Sequence, residues 1–507
     1  MCTTLVEKLL GYGEQIPSKT AVAFRKEQLT YGDLSLKIRQ TAAALKELGI
    51  GRGDRVLFTA VSKPSTFVLY MGVQYLGGIA VFTDKAGTWE NAVSIYEDAE
   101  ASLFLTTMKQ QAVPDGMKVL SQKDFFARAE EMTAFPEFEE PEGEAVAEIL
   151  FTTGTTGKPK GVMLSFRAVM NILKNTMRGV GIRPEDIVLM PLPLHHSFAL
   201  RVSRAALYAG GTVVLQNGFA FAKETENNLD QFGCTGIAAV PVSMELLRTQ
   251  MQEHFYEIMS RFRFIEVGAG ALTEEQRKRL SAHLPGVQIT NTWGSSETGG
   301  VIFTYVHDVA SDERRVTTLG KPIDGASIRV IGPDGEEAGK SADRPGKLAL
   351  SGGMVMSGYW NRPDLTAEAL KDGWLITNDL VYLDEDGFVY MLGRSDDIIN
   401  VGGEKVSPLE IENIASEYEG AGEYACVGIK DPEGLLGQVP VLVAGGIRPG
   451  YSEEELRKYL ASRMERVKLP ARIFTIGALP RNRMQKLDRK AIAAFVAGEI
   501  SGNKQEK

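Results

Sequence analysis

The sequence comprises 507 residues, a length that exceeds one compact core and predicts two or more domains. Hydrophobic residues make up 44% and charged residues 24%, a balance typical of a soluble globular enzyme. The formal net charge of −9 excludes a nucleic-acid partner, because neutralising phosphates requires a basic face and no basic run is present. An anionic ligand therefore has to be held by a local site.

The chain begins with MCTTLVEKLLGYGEQ, which predicts an amphipathic helix rather than a signal peptide, because Glu7 and Lys8 interrupt the apolar segment. No run approaches the roughly 18–20 apolar residues that a membrane span needs. Cys2, Cys234 and Cys426 share no metal-type spacing, and so small a number suits a reducing compartment. A cytoplasmic protein without a membrane span is predicted.

Short apolar runs alternate with helical patterns between residues 51 and 105, which predicts a βα-layered sheet. The acidic, proline-containing stretch at 135–144, FPEFEEPEGE, is typical of an exposed connector. A second βα series follows, whose strands end near glycine or a polar turn: IVLMPLPL, GGTVVLQ, GIAAVPV, FRFIEVGAG and VQITNTWG. Strand-end loops of this kind carry the ligands of open α/β sheets.

The pattern changes after about residue 319. SIRVIGPDGEEAG and DLVYLDEDGFVYMLG predict a small antiparallel β module, with turns at their Asp-Gly pairs. Further on, strands and helices alternate again, and Ser407 and Ser452 mark two helix starts. A domain boundary is predicted near Ser395.

The most specific stretch is FTTGTTGKPKG at 151–161, which follows a predicted strand. Its glycines let backbone N–H groups approach an anion, its hydroxyls donate hydrogen bonds and its lysines supply charge. The alternative is a surface loop without a ligand. A Walker phosphate loop does not fit, because Thr152 stands at its first glycine position and Pro159 at its Mg²⁺-binding Ser/Thr position.

FTTGTTGKPKG resembles the signature of the acyl-adenylate-forming (AMP-binding) superfamily, which comprises acyl- and aryl-CoA synthetases, adenylation domains of peptide synthetases and luciferases. The usual pattern, S/T-S/T-G-T-T-G-x-P-K-G, is matched without a gap, and further motifs follow in order across residues 30–490. The resemblance implies an α/β fold. A large domain at 1–394 would have βα-layered sheets and a small β-barrel subdomain at about 320–394, and a small, mobile α+β C-terminal domain would span 395–507.

The resemblance extends to VGAGAL at 267–272, where small residues let the backbone approach adenine, and to NTWGSSETGG at 291–300. In the second segment Trp293 replaces a tyrosine and Ser296 a threonine, and Glu297 is the expected Mg²⁺ ligand, because a hard carboxylate oxygen suits a hard cation that bridges phosphates. The residues implied in nucleotide binding are Thr152, Thr153, Gly154, Thr155, Thr156, Gly157, Lys160, Gly268, Ala269, Gly270, Asn291, Thr292, Trp293, Ser296, Asp379, Arg394 and Lys486.

PLPLHHSFAL at 191–200 is similar to the family's acyl-site segment, in which a histidine and an aromatic residue flank the carboxylate pocket. His196 and Phe198 take these places, whereas His195 is interpreted as structural. Arg201 and Arg204 are interpreted either as contacts for a polar group or second carboxylate of the acid, or as a solvated helix face. The remaining pocket walls are expected at 194–204, 238–244, 267–271 and 298–303.

The longest match is the segment at 376–412. Asp379 and Arg394 correspond to the family's residues that hold the ribose. Asp396 corresponds to the hinge between the two domains. The loop that lines the pantetheine channel of CoA corresponds to Gly402, Gly403 and Lys405.

LPRNRMQKLDRKAI at 479–492 resembles the terminal catalytic motif of the family, with Asn482 in place of threonine and Gln485 in place of glycine. Lys486 occupies the position of the catalytic lysine. The alternative is an ordinary surface lysine in a basic cluster. The residues that the resemblance implies in catalysis are Lys486, Glu297, Thr156 and His196.

Together these motifs imply an acid–CoA ligase that uses ATP, Mg²⁺ and CoA. The carboxylate of a small acid would attack the α-phosphorus of ATP and release pyrophosphate, and the acyl-AMP would pass its acyl group to CoA after the small domain rotates. One alternative is a stand-alone adenylating enzyme that loads a carrier protein, because KLDRKAI resembles the end of peptide-synthetase adenylation domains. The other is a nucleotide-binding regulator without turnover.

Overall fold

The structure, a computed structural model, describes residues 4–153, 159–270, 272–431, 435–481 and 487–502. Its N-terminal third alternates strands and helices, as the apolar pattern predicts. The elements are α1 (Leu5–Gln15), β1 (Thr20–Phe24), β2 (Glu27–Thr30), α2 (Tyr31–Glu47), β3 (Arg55–Ala60), α3 (Pro64–Tyr75), β4 (Ile79–Asp84), α4 (Trp89–Asp98), β5 (Leu103–Thr106), β6 (Val119–Ser121) and α5 (Gln122–Glu130).

The next part of the chain continues the alternation after the connector at 135–144, which has no regular structure. Its elements are β7 (Val146–Thr153), β8 (Pro159–Ser165), α6 (Phe166–Val180), β9 (Ile187–Met190), α7 (Ser197–Ala209), β10 (Thr212–Leu215), α8 (Ala222–Phe232), β11 (Gly236–Ala239), α9 (Pro241–Met251), a 3₁₀ turn (Gln252–His254), α10 (Phe255–Met259), β12 (Phe264–Gly268), α11 (Glu274–His283), β13 (Gln288–Ser295), β14 (Gly299–Tyr305) and α12 (Val306–Val309).

Short strands dominate the third part, and helices return after residue 407. The elements are β15 (Lys321–Pro322), β16 (Ala326–Ile331), β17 (Gly346–Gly352), β18 (Gly358–Tyr359), α13 (Pro363–Ala369), β19 (Leu370–Lys371), β20 (Trp374–Leu383), β21 (Val389–Arg394), β22 (Ile399–Val401), β23 (Glu404–Val406), α14 (Pro408–Ser416), β24 (Ala421–Lys430), β25 (Gln438–Ile447), α15 (Glu453–Ala461), a 3₁₀ turn (Arg466–Lys468), β26 (Arg472–Ile476) and α16 (Arg489–Gly502).

Two large sheets carry the first part of the chain. The seven-stranded sheet has the order β18-β8-β7-β4-β3-β5-β6, and the nine-stranded sheet the order β15-β14-β13-β12-β11-β9-β10-β1-β2. In the second sheet β9, β11, β12 and β13 run parallel, so their carboxyl ends meet at one edge. The segments that follow these strands include the predicted acyl and adenine motifs.

A five-stranded antiparallel sheet follows, in which β16, β17, β20 and β19 pair in that order and β21 pairs with β20. The second Asp-Gly turn joins β20 to β21 as predicted. The first turn forms only one bridge, between Ile331 and Glu337, and the ladder partner of β16 is β17 instead. A local turn signal does not specify which distant strand completes the ladder.

The buried apolar residues form separate clusters along the chain. One cluster extends from Leu5 to Val389, and another begins at Ile399 around the sheet β24-β25-β26. Ser407 and Ser452 cap α14 and α15 as predicted, because each side chain accepts a hydrogen bond from the backbone three residues on. No helix within the described residues is long and apolar enough to cross a membrane.

Candidate active site

The larger of two clefts brings together residues from three predicted motifs. Its lining includes Lys160 from the end of the phosphate loop, Trp293 and Glu297 from the segment around β13, and Asp379 and Arg394 from β20 and β21. These residues are up to 234 positions apart in the sequence, from 160 to 394. The fold therefore brings Lys160, Trp293, Asp379 and Arg394, four of the described residues predicted to bind nucleotide, into one cleft together with Glu297.

At the centre of this cleft, Tyr359 links Lys160 to Glu297. The Lys160 Nζ donates to the Tyr359 hydroxyl at 2.7 Å, and that hydroxyl donates to Glu297 Oε1 at 2.9 Å. Lys160 and Glu297 lie 3.6 Å apart, and the Lys160 Nζ is 4.1 Å from the centre of the Tyr359 ring. Burial raises the pKa of Tyr359, and the negative charge of Glu297 raises it further. The hydroxyl of Tyr359 is therefore protonated at neutral pH.

Asp379 and Arg394 face each other across two antiparallel strands, since they are directly paired residues of β20 and β21. Their neighbour Asp396 accepts a hydrogen bond from Asn378 at 3.1 Å and lies 3.8 Å from the Arg394 guanidinium. Arg394 and Asp396 are each 46% exposed, so both retain access to solvent. The predicted ribose pair and the predicted hinge residue thus form one polar group on the cleft wall.

Gly402 and Gly403 form the two-residue turn between β22 and β23. Their φ angles are +60° and +96°, a backbone conformation that favours glycine at both positions of such a hairpin. Lys405, two residues later, lines the larger cleft. The predicted CoA loop is therefore a tight hairpin beside the nucleotide residues.

The smaller cleft lies beside the carboxyl ends of the parallel strands and has a volume of about 450 Å³, enough for a small or medium acid. His196 and Phe198 both line it, and His196 precedes the first residue of α7. The Phe198 ring packs against the backbone of Gly268, where a Cβ would lie 2.9 Å from the ring. The glycine of the predicted adenine motif thus makes room for an aromatic wall of the smaller cleft.

His195 lies outside the cleft lining and close to Asp84, with 3.8 Å between Nδ1 and Oδ1. Burial lowers its pKa, and the Asp84 carboxylate opposes this effect. Its ring centre is 3.9 Å from that of His196, so the two imidazole rings are in contact. This placement agrees with the structural interpretation of His195.

Arg201 and Arg204 are not a solvated helix face, because their fractional exposures are 4% and 0%. Arg201 lines the smaller cleft and pairs with the buried Glu266 at 2.6 Å. Arg204 lies one turn away, outside the cleft lining, and pairs with the buried Glu148 at 2.7 Å. The interpretation of these arginines as a solvated helix face was wrong, because each has a buried carboxylate partner that lies far away in the sequence.

Several residues predicted to bind nucleotide have other neighbours. Asn291 donates to the Val267 carbonyl at 3.0 Å and accepts from Arg277, which braces the strand end. Thr292 and Ser296 line the smaller cleft, as does Ala269, whose φ of +60° is strained for a residue with a Cβ.

Strand β13 separates the two clefts. Thr292 lines the smaller cleft and Trp293 the larger one, because successive side chains of a strand point to opposite faces. The backbone of Gly294 also lines the smaller cleft. Ser295, at the end of the strand, lines both clefts. The two clefts therefore meet at this residue.

Some predicted residues lie outside the described part of the chain: Gly154, Thr155, Thr156, Gly157 and Lys486. Of the flanking loop residues, Thr153 pairs with Pro159 through the strands β7 and β8, and the Thr152 hydroxyl donates to the Lys160 carbonyl at 3.4 Å. The two ends of the loop are thus held together beside the larger cleft.

Sequence reasoning missed two contributors. Tyr359 belongs to none of the motifs considered, and only the pairing of β18 with β8 brings it to Lys160 and Glu297. The segment 218–220, which follows β10, lines the smaller cleft although its residues carry no reactive group. Its place after a strand of the βα series was the available signal.

Comparison with known proteins agrees with this architecture. The model of the AMP-binding enzyme family matches residues 12–360, and that of the AMP-binding enzyme C-terminal domain matches residues 410–486. A 2-succinylbenzoate–CoA ligase from Geobacillus sp. (strain WCH70) is 26% identical over 505 residues, which cover 99% of this chain and 100% of the relative. Another from Bacillus anthracis (strain A0248) is 29% identical over 483 residues, or 95% and 96% of the two chains.

Solved structures share the fold. ATP-bound MatB from Rhodopseudomonas palustris has a TM-score of 0.87 and 24% identity, with 99% of this chain and 100% of that chain covered. The o-succinylbenzoate CoA synthetase (MenE) from Bacillus subtilis, in complex with the acyl-adenylate intermediate OSB-AMP, has a TM-score of 0.84 and 24% identity over 96% and 97% of the chains. The predicted α/β fold class is confirmed. With one family model spanning well over half of its length, the chain belongs to the family of AMP-binding enzymes.

Proposed function

We propose that this chain is an ATP- and Mg²⁺-dependent acid–CoA ligase, which activates a small carboxylic acid as an acyl-adenylate and transfers the acyl group to CoA. The observation that carries the proposal is the meeting of the two clefts at Ser295. One cleft presents charged side chains suited to a nucleotide, and the other is mostly apolar and suited to an acid. Their junction is where a carboxylate would reach the α-phosphate.

Adenylation requires the two reactants to be positioned and the charge on the phosphates to be stabilised. Lys160 and the backbone of the loop at 152–160 would hold the phosphates, together with Lys486. Asp379 and Arg394 would hold the ribose, with Trp293 against the adenosine. His196 and Phe198 would flank the carboxylate of the acid.

Glu297 is suited to hold Mg²⁺, since its carboxylate is partly buried in the larger cleft with a side-chain exposure of 16%. Mg²⁺ in phosphate-transfer sites is bound by one or two carboxylates and by the substrate's own oxygens, so a single glutamate fits. A bound Mg²⁺ would offset the phosphate charge. Within the chain, the contacts of Glu297 with Tyr359 and Lys160 fix where that carboxylate lies.

Thioester formation requires the thiol of CoA to reach the adenylate. The hairpin of Gly402 and Gly403 and the side chain of Lys405 would line its channel, with Asp396 as the hinge. We place the domain boundary at residue 395, so that 1–394 form the large domain, including a β-rich part at about 320–394, and 395–507 the small one. The separate buried clusters before Val389 and after Ile399 support this division.

CoA is proposed as the acceptor because the similar curated relatives are CoA ligases. A carrier protein is the competing acceptor. A cytoplasmic location is proposed from the small number of cysteines, of which Cys234 and Cys426 are buried free thiols.

Pyrophosphate release tests the first step across short, medium, long, aryl and dicarboxylic acids. We expect release with at least one acid, accompanied by AMP, and a thioester when CoA is added. If no acid supports the splitting of ATP into AMP and pyrophosphate, the proposed function is wrong. If an acyl-AMP forms but reacts with a phosphopantetheinylated carrier protein and never with CoA, the proposed acceptor is wrong.

A further inference from the structure

The smaller cleft is lined by very few charged side chains. Among its described lining residues, Arg201 has the single permanently charged side chain. Apart from His196, the rest are apolar or neutral polar residues. Whatever electrostatic selection this cleft applies to the body of an acid therefore depends on the state of Arg201.

The charge of Arg201 is already compensated. One guanidinium nitrogen donates to Glu266 Oε1 at 2.6 Å, and another donates to the Thr176 hydroxyl at 3.2 Å. The two charged side chains are 5% and 0% exposed, so the pair is removed from water. A buried ion pair of this kind leaves no net positive charge for a ligand.

The Glu266 end of the pair has hydrogen-bonding capacity to spare. Its Oε1 accepts from Arg201 and from the Thr292 hydroxyl at 2.9 Å, whereas its buried Oε2 has no hydrogen-bond partner among the described residues. Thr292 itself lines the cleft. Among the described residues, Glu266 therefore receives side-chain hydrogen bonds only from Arg201 and Thr292, and the guanidinium is its ion-pair partner.

The guanidinium is also held in place. The Phe198 ring lies under it, with its centre 4.6 Å from the Arg201 Cζ. On another side is Gly300, where a Cβ would be 3.0 Å from that same atom. These two contacts and the ion pair hold the guanidinium in position beside Glu266.

Resting on the proposed function, we propose that the Arg201–Glu266 pair is a specificity determinant that restricts this enzyme to monocarboxylic acids with an uncharged body. A second carboxylate in the cleft would lose its hydration and find no available cation, because Glu266 already neutralises the charge of Arg201. The named substrate of the curated relatives, 2-succinylbenzoate, has two carboxylates. This chain would therefore differ from those relatives in substrate class.

The test compares matched acids by ATP–pyrophosphate exchange with the purified full-length enzyme. One pair is 2-succinylbenzoate and 4-oxo-4-phenylbutanoate, which is the same skeleton without the ring carboxylate. A second pair is the best acid found in the screen and its analogue with a carboxylate at the far end. We expect kcat/KM to favour the monocarboxylate by about tenfold or more in each pair that reacts. A best acid that is itself dicarboxylic, or equal use of both members of a pair, would overturn the proposal.

Glu266→Gln tests the residue assignment, because the amide removes the compensating charge and leaves the Arg201 guanidinium available. We expect the ratio of kcat/KM for the dicarboxylate to that for the monocarboxylate to rise by about tenfold. The gain should vanish in the double variant Arg201→Met/Glu266→Gln. If Glu266→Gln leaves the ratio unchanged, Glu266 is not the determinant.

Glu148→Gln is the matched control, since it alters the second buried arginine–glutamate pair, one turn along α7 and outside the cleft lining. Both single variants lose a buried carboxylate, so both should lower stability, but Glu148→Gln should leave the ratio unchanged. An equal shift in both variants would contradict the proposal. The wild-type comparison needs no variant to fold, and its outcome is separable from the proposed function, which fails when no acid supports exchange.

Discussion

The two clefts are separated by one strand and differ in how far their charged side chains are exposed. On the larger side, Lys160, Glu297 and Arg394 have side-chain exposures of 29%, 16% and 46%, so their charges face solvent and a prospective ligand. On the smaller side, Arg201 is 5% exposed and neutralised by a partner that is fully buried. A nucleotide triphosphate needs charges that it can meet, whereas the body of an acid needs a surface that displaces water.

The difference shows how one sheet can serve two chemically unlike ligands. The alternation along β13 directs Thr292 to one cleft and Trp293 to the other. Changes in the charged cleft should lower the rate for every acid by a similar factor. Changes in the apolar cleft should instead alter the ranking of acids.

The largest effect is expected from Lys486→Ala. Adenylate formation should fall by about 10³-fold or more for all acids, because a positive charge on the phosphates is lost. Thioester formation from synthetic acyl-AMP should be retained, since the lysine would be withdrawn in that step. Pyrophosphate release and thioester production measure the two half-reactions.

Lys458→Ala is the control for this variant, because Lys458 is a 72% exposed lysine that pairs with Glu454 on α15. It should leave both half-reactions unchanged. Loss of both half-reactions in Lys486→Ala would contradict the role given to the lysine.

Glu297→Gln should lower kcat/KM for adenylation by about 100-fold and raise the Mg²⁺ concentration needed for half-maximal rate. An amide keeps the shape of the side chain but binds a hard cation less well. Titration of Mg²⁺ at saturating ATP measures the shift. Glu274→Gln, on the surface of α11, is the control. An unchanged Mg²⁺ requirement would show that Glu297 does not hold the metal.

Val242→Phe tests the smaller cleft in place of the larger one. Val242 lines the smaller cleft, and the added ring volume should reduce kcat/KM for bulky acids by about tenfold while sparing short ones. The KM for ATP should stay the same. A uniform loss for all acids, or a changed KM for ATP, would show that the two clefts are not independent.

The smallest effect is expected from Tyr359→Phe, which removes the hydroxyl between Lys160 and Glu297 but keeps the ring beneath the lysine. Loss of one hydrogen bond to a charged group should lower adenylation by about five- to tenfold for all acids. The Mg²⁺ requirement should change as well, because Glu297 loses a contact that orients it. A rate and a Mg²⁺ requirement equal to those of the wild type would remove Tyr359 from the site.

Much of this architecture follows from local sequence signals. The buried strands β9 to β13 end near glycine or polar turns, and Ser407 and Ser452 begin helices, because burial pattern and capping depend on a few neighbouring residues. The resemblance of motifs indicated a few residues of the larger cleft, namely Lys160, Trp293, Glu297, Asp379, Arg394, Asp396 and Lys405. Local patterns thus predicted most of the fold, and the motifs indicated part of the lining of the larger cleft.

Contacts between distant residues were not predictable in the same way. Tyr359 meets Glu297 across 62 positions, and Arg201 meets Glu266 across 65. A polar residue on a helix is typical of an exposed face, and only the folded chain places a carboxylate opposite it. The turn predicted after β16 forms with a single bridge, but the sequence did not indicate that β17 completes the ladder of β16.

Ser295 marks the end of the smaller cleft at which the reacting carboxylate of an acid would lie. Because the two clefts join at the end of β13, the carboxylate of any acid would lie at that point, and the rest of the acid would extend from there into the smaller cleft. On the proposed function, acids would be sorted by the reach of their far end and not by their total volume. A substitution that displaced the end of β13 would shift the position of the reacting carboxylate. It would therefore change the lengths of acid that the smaller cleft accepts.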